Sequence, residues 1–85
     1  MKVGFSRSAW EDYCHWQVTD KAIIKKLNAL ISDTIKHPLT GIGKPEALKH
    51  NLQGCYSRRI NQEHRFVYRV KGDLVEVISV KYHYK

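Results

Sequence analysis

An α+β fold, two N-terminal helices packed on an antiparallel β-sheet, is what this chain predicts from three observations. Residues 20–36 repeat apolar side chains at the helical period, and a second amphipathic helix precedes them across a short link. From Tyr56 onward the hydrophobic period switches to two. Closely linked amphipathic helices followed by a run of strands place an antiparallel helix pair over a sheet.

The 85 residues form one domain, 1–85, with no linker, internal repeat or low-complexity tract to divide it. A core of this size leaves only modest net stability, which makes oligomerisation or a bound partner a natural expectation.

Val3 and Phe5 share one face of a short strand over 2–6. Ser6 or Ser8 offers an N-cap, and Ser8-Ala9-Trp10-Glu11 fits a capping box. The helix that follows runs to about Gln17, with Trp10, Tyr13 and Cys14 on one face and Trp16 to its side. Such an aromatic stripe is read as core. Thr19 and Asp20 restart the chain as a second helix, in which Ile23, Ile24, Leu27, Leu30, Ile31 and Ile35 trace the apolar face. His37-Pro38 ends it, because the residue before proline avoids the helical region. Residues 39–54 read as an ordered loop with one turn of helix near Pro45 to Lys49. Strands then follow at 56–61, 64–71 and 73–82, joined by turns at Asn61-Gln62-Glu63 and Lys71-Gly72-Asp73.

Alternation assigns the faces of that meander. Ile60, Phe66, Tyr68, Val70, Leu74, Ile78, Val80 and Tyr82 are assigned to the helix side. The opposite, open face gathers Arg59, Arg65, Arg69, Lys81 and His83 with Ser57 and Ser79, and also Val67, Val75 and Val77. Glu76 falls on the wrong parity and signals a register slip in the last strand.

Charge points in the same direction. Lys+Arg number 15 against 8 Asp+Glu, a formal net charge of +7, which favours a polyanionic partner such as RNA, DNA or an acidic protein. Residues 41–69 concentrate Lys44, Lys49, Arg58, Arg59, Arg65, Arg69, His50 and His64 around only Glu46 and Glu63. Lysine and arginine in that density are poor core material and good phosphate ligands. Cys14 and Cys55 form no CxxC pair, so neither a zinc site nor a disulfide framework is signalled, and they read as two small thiols in a reducing cytosol. No segment has the length or apolarity of a membrane span, and the N-terminus lacks a signal-peptide core. The expected location is cytoplasmic.

An open face with arginines, a histidine and a nearby loop carboxylate has the parts for RNA cleavage without a metal or other cofactor. The RNA's own 2′-hydroxyl attacks the adjacent phosphate once a base takes its proton. Glu46 is the candidate acceptor, held ionised by Lys44 and Lys49. Arg59 and Arg65 are placed to stabilise the phosphorane, His83 to protonate the departing 5′-oxygen, and Tyr84 to stack or donate. Each residue has a plainer reading: Glu46 as a solvated carboxylate, Arg65 paired with Glu63 or Glu76, and His83-Tyr84-Lys85 as a frayed end. His50 and His64 read as loop and turn residues.

The chain also resembles a known family, the YoeB toxins of bacterial type II toxin–antitoxin pairs, within the wider RelE superfamily. The matching residues include Trp10 to Tyr13, Thr19-Asp20-Lys21, Lys25-Lys26, Gly43-Lys44-Pro45-Glu46, Leu48-Lys49-His50-Asn51-Leu52, Ser57-Arg58-Arg59-Ile60, Glu63-His64-Arg65, Val67-Tyr68 and Tyr82-His83-Tyr84. The resemblance implies a microbial-ribonuclease-like fold with a twisted antiparallel sheet. It also implies ribosome-dependent cleavage of mRNA in the A site, which stops translation. Glu46 then matches the general base, Arg65 the phosphate support and His83 the general acid, while Lys49, Arg59 and Tyr84 match assisting residues. The implied partners are mRNA on the ribosome, a partly disordered acidic antitoxin of the YefM type, operator DNA through the antitoxin complex alone, and a second copy of the chain.

Three positions depart from the family pattern: Lys85 extends the chain beyond Tyr84, Lys81 replaces the usual arginine, and Cys55 stands where an aromatic is common. Two other functions compete with cleavage. One is a ribosome or RNA binder that blocks translation without cutting, and the other is a purely regulatory component of an operator-binding complex.

Overall fold

The computed structural model describes residues 1–82. The elements run β1 (Lys2–Phe5), α1 (Arg7–Thr19), α2 (Lys21–Lys36), β2 (Glu46–Ala47), a 3₁₀ turn (His50–Leu52), β3 (Tyr56–Arg59), β4 (Arg65–Lys71) and β5 (Leu74–Ser79). The strands form one sheet in the order β1-β5-β4-β3-β2. β3 to β5 pair antiparallel, as the alternation predicts; β2 pairs antiparallel with β3, and β1 adds itself parallel to β5, which makes the sheet mixed.

Capping fixes the helix boundaries. Ser6, not Ser8, begins α1: its hydroxyl accepts from the Ala9 amide at 3.2 Å, so the Ser8 capping box is not used. Asp20 begins α2 as predicted, accepting from the Ala22 and Ile23 amides at 3.1 and 3.2 Å. The helices bury Ala9 and Trp16 from α1, and Ile23, Leu27 and Leu30 from α2, against Phe66, Tyr68, Val75 and Val77 of the sheet and Ile60 and Val80 just beyond its strands. Trp10 is not core. It stays 51% exposed and caps the sheet edge, with its ring edge-on to Phe5 at 5.5 Å and stacked on Tyr13 at 5.7 Å.

The slip signalled by Glu76 is a β-bulge. Val67 pairs with Ser79 but Tyr68 pairs with Val77, so Ile78 is the extra residue on β5. The bulge inverts the parity assigned to that strand. Val75 and Val77 join the helix-facing core, Leu74 pairs with Lys71, and Glu76 turns to the open face opposite Arg69.

The loop before β3 also differs from expectation. Its helical turn lies at His50–Leu52 rather than Pro45 to Lys49, and Glu46–Ala47 form an edge strand paired with Ser57 and Tyr56. Leu48 N donates to Cys55 O at 2.9 Å, closing a small hairpin. Cys14 and Cys55 are free thiols.

Candidate nucleic-acid cleavage site

The site is built from sheet register. Residues directly opposite on paired strands point to the same face. Glu46 pairs with Ser57, Ser57 with Val67, and Val67 with Ser79, which gives one row across the sheet. Arg59 pairs with Arg65 in the next row on the same face, about 7 Å along the strands at 3.4 Å per residue. Register thus puts Glu46 on the same face of the sheet as Arg59 and Arg65, because Glu46 belongs to the sheet rather than to a free loop.

Arg65 is oriented by the β3–β4 turn. Its Nη1 donates to the Asn61 carbonyl at 2.6 Å and to the His64 carbonyl at 3.1 Å. No carboxylate pairs with it among the described residues: Glu63 approaches His64 Nε2 at 3.6 Å, and Glu76 is taken by Arg69. The plainer reading of Arg65 as an ion-pair member thus fails. Arg69 leaves the open set of cations for the same reason. Arg59 is held through its amide, which donates to Gly43 O at 2.7 Å.

Beside these residues lies an open cleft of about 560 Å³, lined by Lys26, Gly43, Lys44, Arg59, Ile60, Asn61, Gln62 and Arg65. Its four charged lining residues are all cations. Lys26 reaches it from α2, whose lysines sequence reasoning leaves as a solvated face. Lys49 stands at the tip of the β2–β3 hairpin, exposed, and is not among the residues lining the cleft. Among the described residues, no three His, Cys, Asp or Glu side chains cluster as metal ligands would.

Two members of the basic stretch are not surface groups at all. Arg58 is fully buried. Its Nη1 meets Asp33 Oδ2 at 2.7 Å and Ile42 O at 3.1 Å, its Nη2 meets His37 O at 2.6 Å and Thr40 O at 2.9 Å, and its Nε meets the Tyr68 hydroxyl at 3.1 Å. The Arg58 hydrogen bond holds the Asp33 carboxyl below its usual range, outweighing the opposing effect of burial, and the Ile42 amide adds to the lowering. Burial pushes the Tyr68 phenol up, so it stays protonated and donates to Pro38 O at 2.6 Å. The guanidinium thus ties residues 37–42 to the sheet and fixes the route into Lys44 and Glu46. Gly43 completes that route with φ 79°, and a Cβ there would stand 2.6 Å from Leu30 Cδ2.

The second is His64, 5% exposed, whose Nδ1 accepts from the Tyr82 amide at 2.8 Å. The signal for both was parity: they fall on the same alternation as Phe66 and Tyr68. His83 and Tyr84 lie outside the described residues. The described chain leads toward them at Tyr82, whose carbonyl accepts from Arg65 N at 3.1 Å.

Comparison with known proteins places the chain in a family. Residues 5–84 match the model of the YoeB-like toxin of bacterial type II toxin–antitoxin systems. The chain is 54% identical over 84 residues to Toxin YoeB of Escherichia coli strain K12, covering 99% of this chain and 100% of that one. It superposes on a YoeB/ParE toxin from Agrobacterium tumefaciens with TM-score 0.96 and 48% identity, covering 99% and 100% of the two chains. A YoeB-YefM complex and a YoeB dimer, both from Staphylococcus aureus, match with TM-score 0.92 at 48% and 49% identity, each covering 99% of this chain and 98% of the other. On the strength of the matched length, the sequence identity and the shared fold, this chain belongs to the YoeB-like toxins of bacterial type II toxin–antitoxin systems.

Proposed function

We propose that the chain is a ribosome-dependent endoribonuclease that cleaves mRNA in the A site and so arrests translation. The observation that carries this reading is the shared face of Glu46, Arg59 and Arg65 beside a cleft whose charged lining is entirely cationic. Glu46 takes the proton of the 2′-hydroxyl, whose oxygen attacks the adjacent phosphorus. Arg59 and Arg65 hold the phosphorane oxygens, and Lys49 adds positive charge at the hairpin tip. The bond from phosphorus to the 5′-oxygen breaks as His83 protonates that oxygen, with Tyr84 assisting. The products are a 2′,3′-cyclic phosphate and a 5′-hydroxyl.

Because the nucleophile belongs to the substrate, the reaction calls for no metal or other cofactor. The proposed partners are mRNA on the ribosome, a YefM-like acidic antitoxin, operator DNA only through the antitoxin complex, and a second copy of the chain. The cytoplasm, where ribosomes and reduced thiols are found, is the proposed location.

Primer extension on mRNA under translation tests the reading. Cuts in the A-site codon, ending in a cyclic or 3′-phosphate and undiminished by EDTA, are expected. Full-length transcripts with falling protein synthesis would instead identify a steric blocker. Uncut transcripts with normal synthesis would leave only an operator-binding regulator.

A further inference from the structure

His64 occupies the turn before β4, where a polar residue would ordinarily face water, yet it is buried at 5% exposure. Its ring stands edge-on to Trp16 at 4.8 Å and tilted against Tyr82 at 5.4 Å. Its Nδ1 accepts from the Tyr82 amide at 2.8 Å, which requires that nitrogen to carry no proton. Around this bond the chain beyond β5 is fastened on both sides: the Trp16 indole donates to Val80 O at 3.0 Å, and Arg65 N donates to Tyr82 O at 3.1 Å. Tyr82 itself has φ 62°, a left-handed conformation that a bulky residue keeps only when its surroundings hold it there.

A buried imidazole is here given to the amide of the residue that precedes His83, the proposed acid. It is well explained if the residue that follows must be aimed. We propose that His64 is a positioning residue: by latching the Tyr82 amide it sets where His83, the next residue in the chain, delivers its proton to the 5′-oxygen. This rests on the reading of His83 as the general acid. The latch and the phosphate support are mechanically joined, because Arg65 Nη1 donates to the His64 carbonyl at 3.1 Å and Arg65 N donates to Tyr82 O. A single turn therefore orients the guanidinium proposed to hold the phosphate and fastens Tyr82, the residue before His83.

The test compares His64→Leu, which keeps bulk and removes the acceptor, with His64→Asn, whose amide oxygen takes roughly the place of Nδ1. Single-turnover cleavage is measured in programmed ribosomes carrying either ordinary mRNA or mRNA with a 5′-phosphorothiolate at the cut, whose thiolate departs without a proton. His64→Leu is expected to stay folded by circular dichroism and to cleave ordinary mRNA about 10²-fold more slowly, the scale of a misplaced catalytic group, with unchanged half-saturation. The rate should return to wild type on the thiolate substrate, and His64→Asn should recover most of it on ordinary mRNA. Equal slowing on both substrates, or a wild-type rate for His64→Leu, overturns the proposal.

His83→Ala separates this from the underlying reading. Failure of the thiolate substrate to restore His83→Ala would remove the acid assignment. The latch is then judged on hydrogen exchange of the Tyr82 amide: faster exchange in His64→Leu upholds it, and unchanged exchange overturns it. Should His64→Leu fail to fold, His64→Gln takes its place, since it is polar but carries its acceptor at the Nε2 position. It is expected to be slow where His64→Asn is fast, and equal rates for the two overturn the proposal.

Discussion

Arg58 and Asp33 meet at 2.7 Å with the guanidinium fully buried and the carboxyl 21% exposed, joining β3 to the last turns of α2. Within a stretch whose basicity suggests phosphate binding, this arginine serves the scaffold. It cannot meet RNA without unfolding the segment that leads into Glu46.

Arg58→Ala should therefore lose stability rather than nuclease chemistry alone. Truncating a fully buried side chain costs roughly 2–5 kcal/mol, and here it also leaves the partly exposed Asp33 carboxyl without its partner and the carbonyls of His37, Thr40 and Ile42 without their donor. A melting temperature lowered by 10 °C or more is expected. A variant that melts as wild type but fails to cleave would return Arg58 to the phosphate site.

The same pair sets an acid limit. The folded Asp33 carboxyl is held below its ordinary value of 3.8, so below that pH the unfolded chain binds the proton more readily than the folded one. Asp33's contribution is complete above the ordinary carboxylate range and is lost as pH falls through its lowered folded value. Denaturant midpoints measured from pH 5 downward should fall, and Asp33→Asn should flatten that slope. Parallel profiles for the two proteins would show that another carboxylate is responsible.

Glu46 is exposed and forms no ion pair among the described residues, so its loss should spare the fold. Glu46→Gln is expected to melt within about 0.5 kcal/mol of wild type and to cleave roughly 10²- to 10⁴-fold more slowly. Full cleavage by this variant would place the base elsewhere.

Lys26 lines the cleft from α2 and should contact the RNA backbone without taking part in bond breaking. Affinity for a short single-stranded RNA, followed as a function of salt, should fall in Lys26→Ala, with the log–log slope reduced by about 0.7, the share of one phosphate contact. Cleavage at saturating ribosome concentration should be unchanged. An unaltered slope would leave Lys26 a solvated helix residue.

Gly43 carries the backbone into the site with φ 79° and accepts from the Arg59 amide at 2.7 Å. Gly43→Ala combines left-handed strain with a clash on Leu30, a loss of about 1–3 kcal/mol. Cleavage should fall along with the melting temperature, because Arg59 shifts with the strand. A variant that melts and cleaves as wild type would show that the turn relaxes freely.

The sequence by itself determined what local periodicity and capping can carry. The α2 stripe from Ile23 to Leu30, the Asp20 cap, the stop at His37-Pro38 and the β3–β5 meander are each set by neighbours a few residues apart. So was the sharing of a face by Arg59 and Arg65, since the odd number of residues between the two strands keeps their alternation in step. Tertiary structure decided the rest. Arg58 is buried only because Asp33, 25 residues earlier, waits across the core, and residue type alone marks an arginine as exposed. Val75 and Val77 reach the core only because the bulge at Ile78 resets the parity, and no local pattern distinguishes a bulge from a slip. His64 and Tyr82 are 18 residues apart and meet because the sheet brings the end of β5 beside the start of β4. Period and caps act over a few residues, whereas partnership across a core depends on where the whole chain has already been placed.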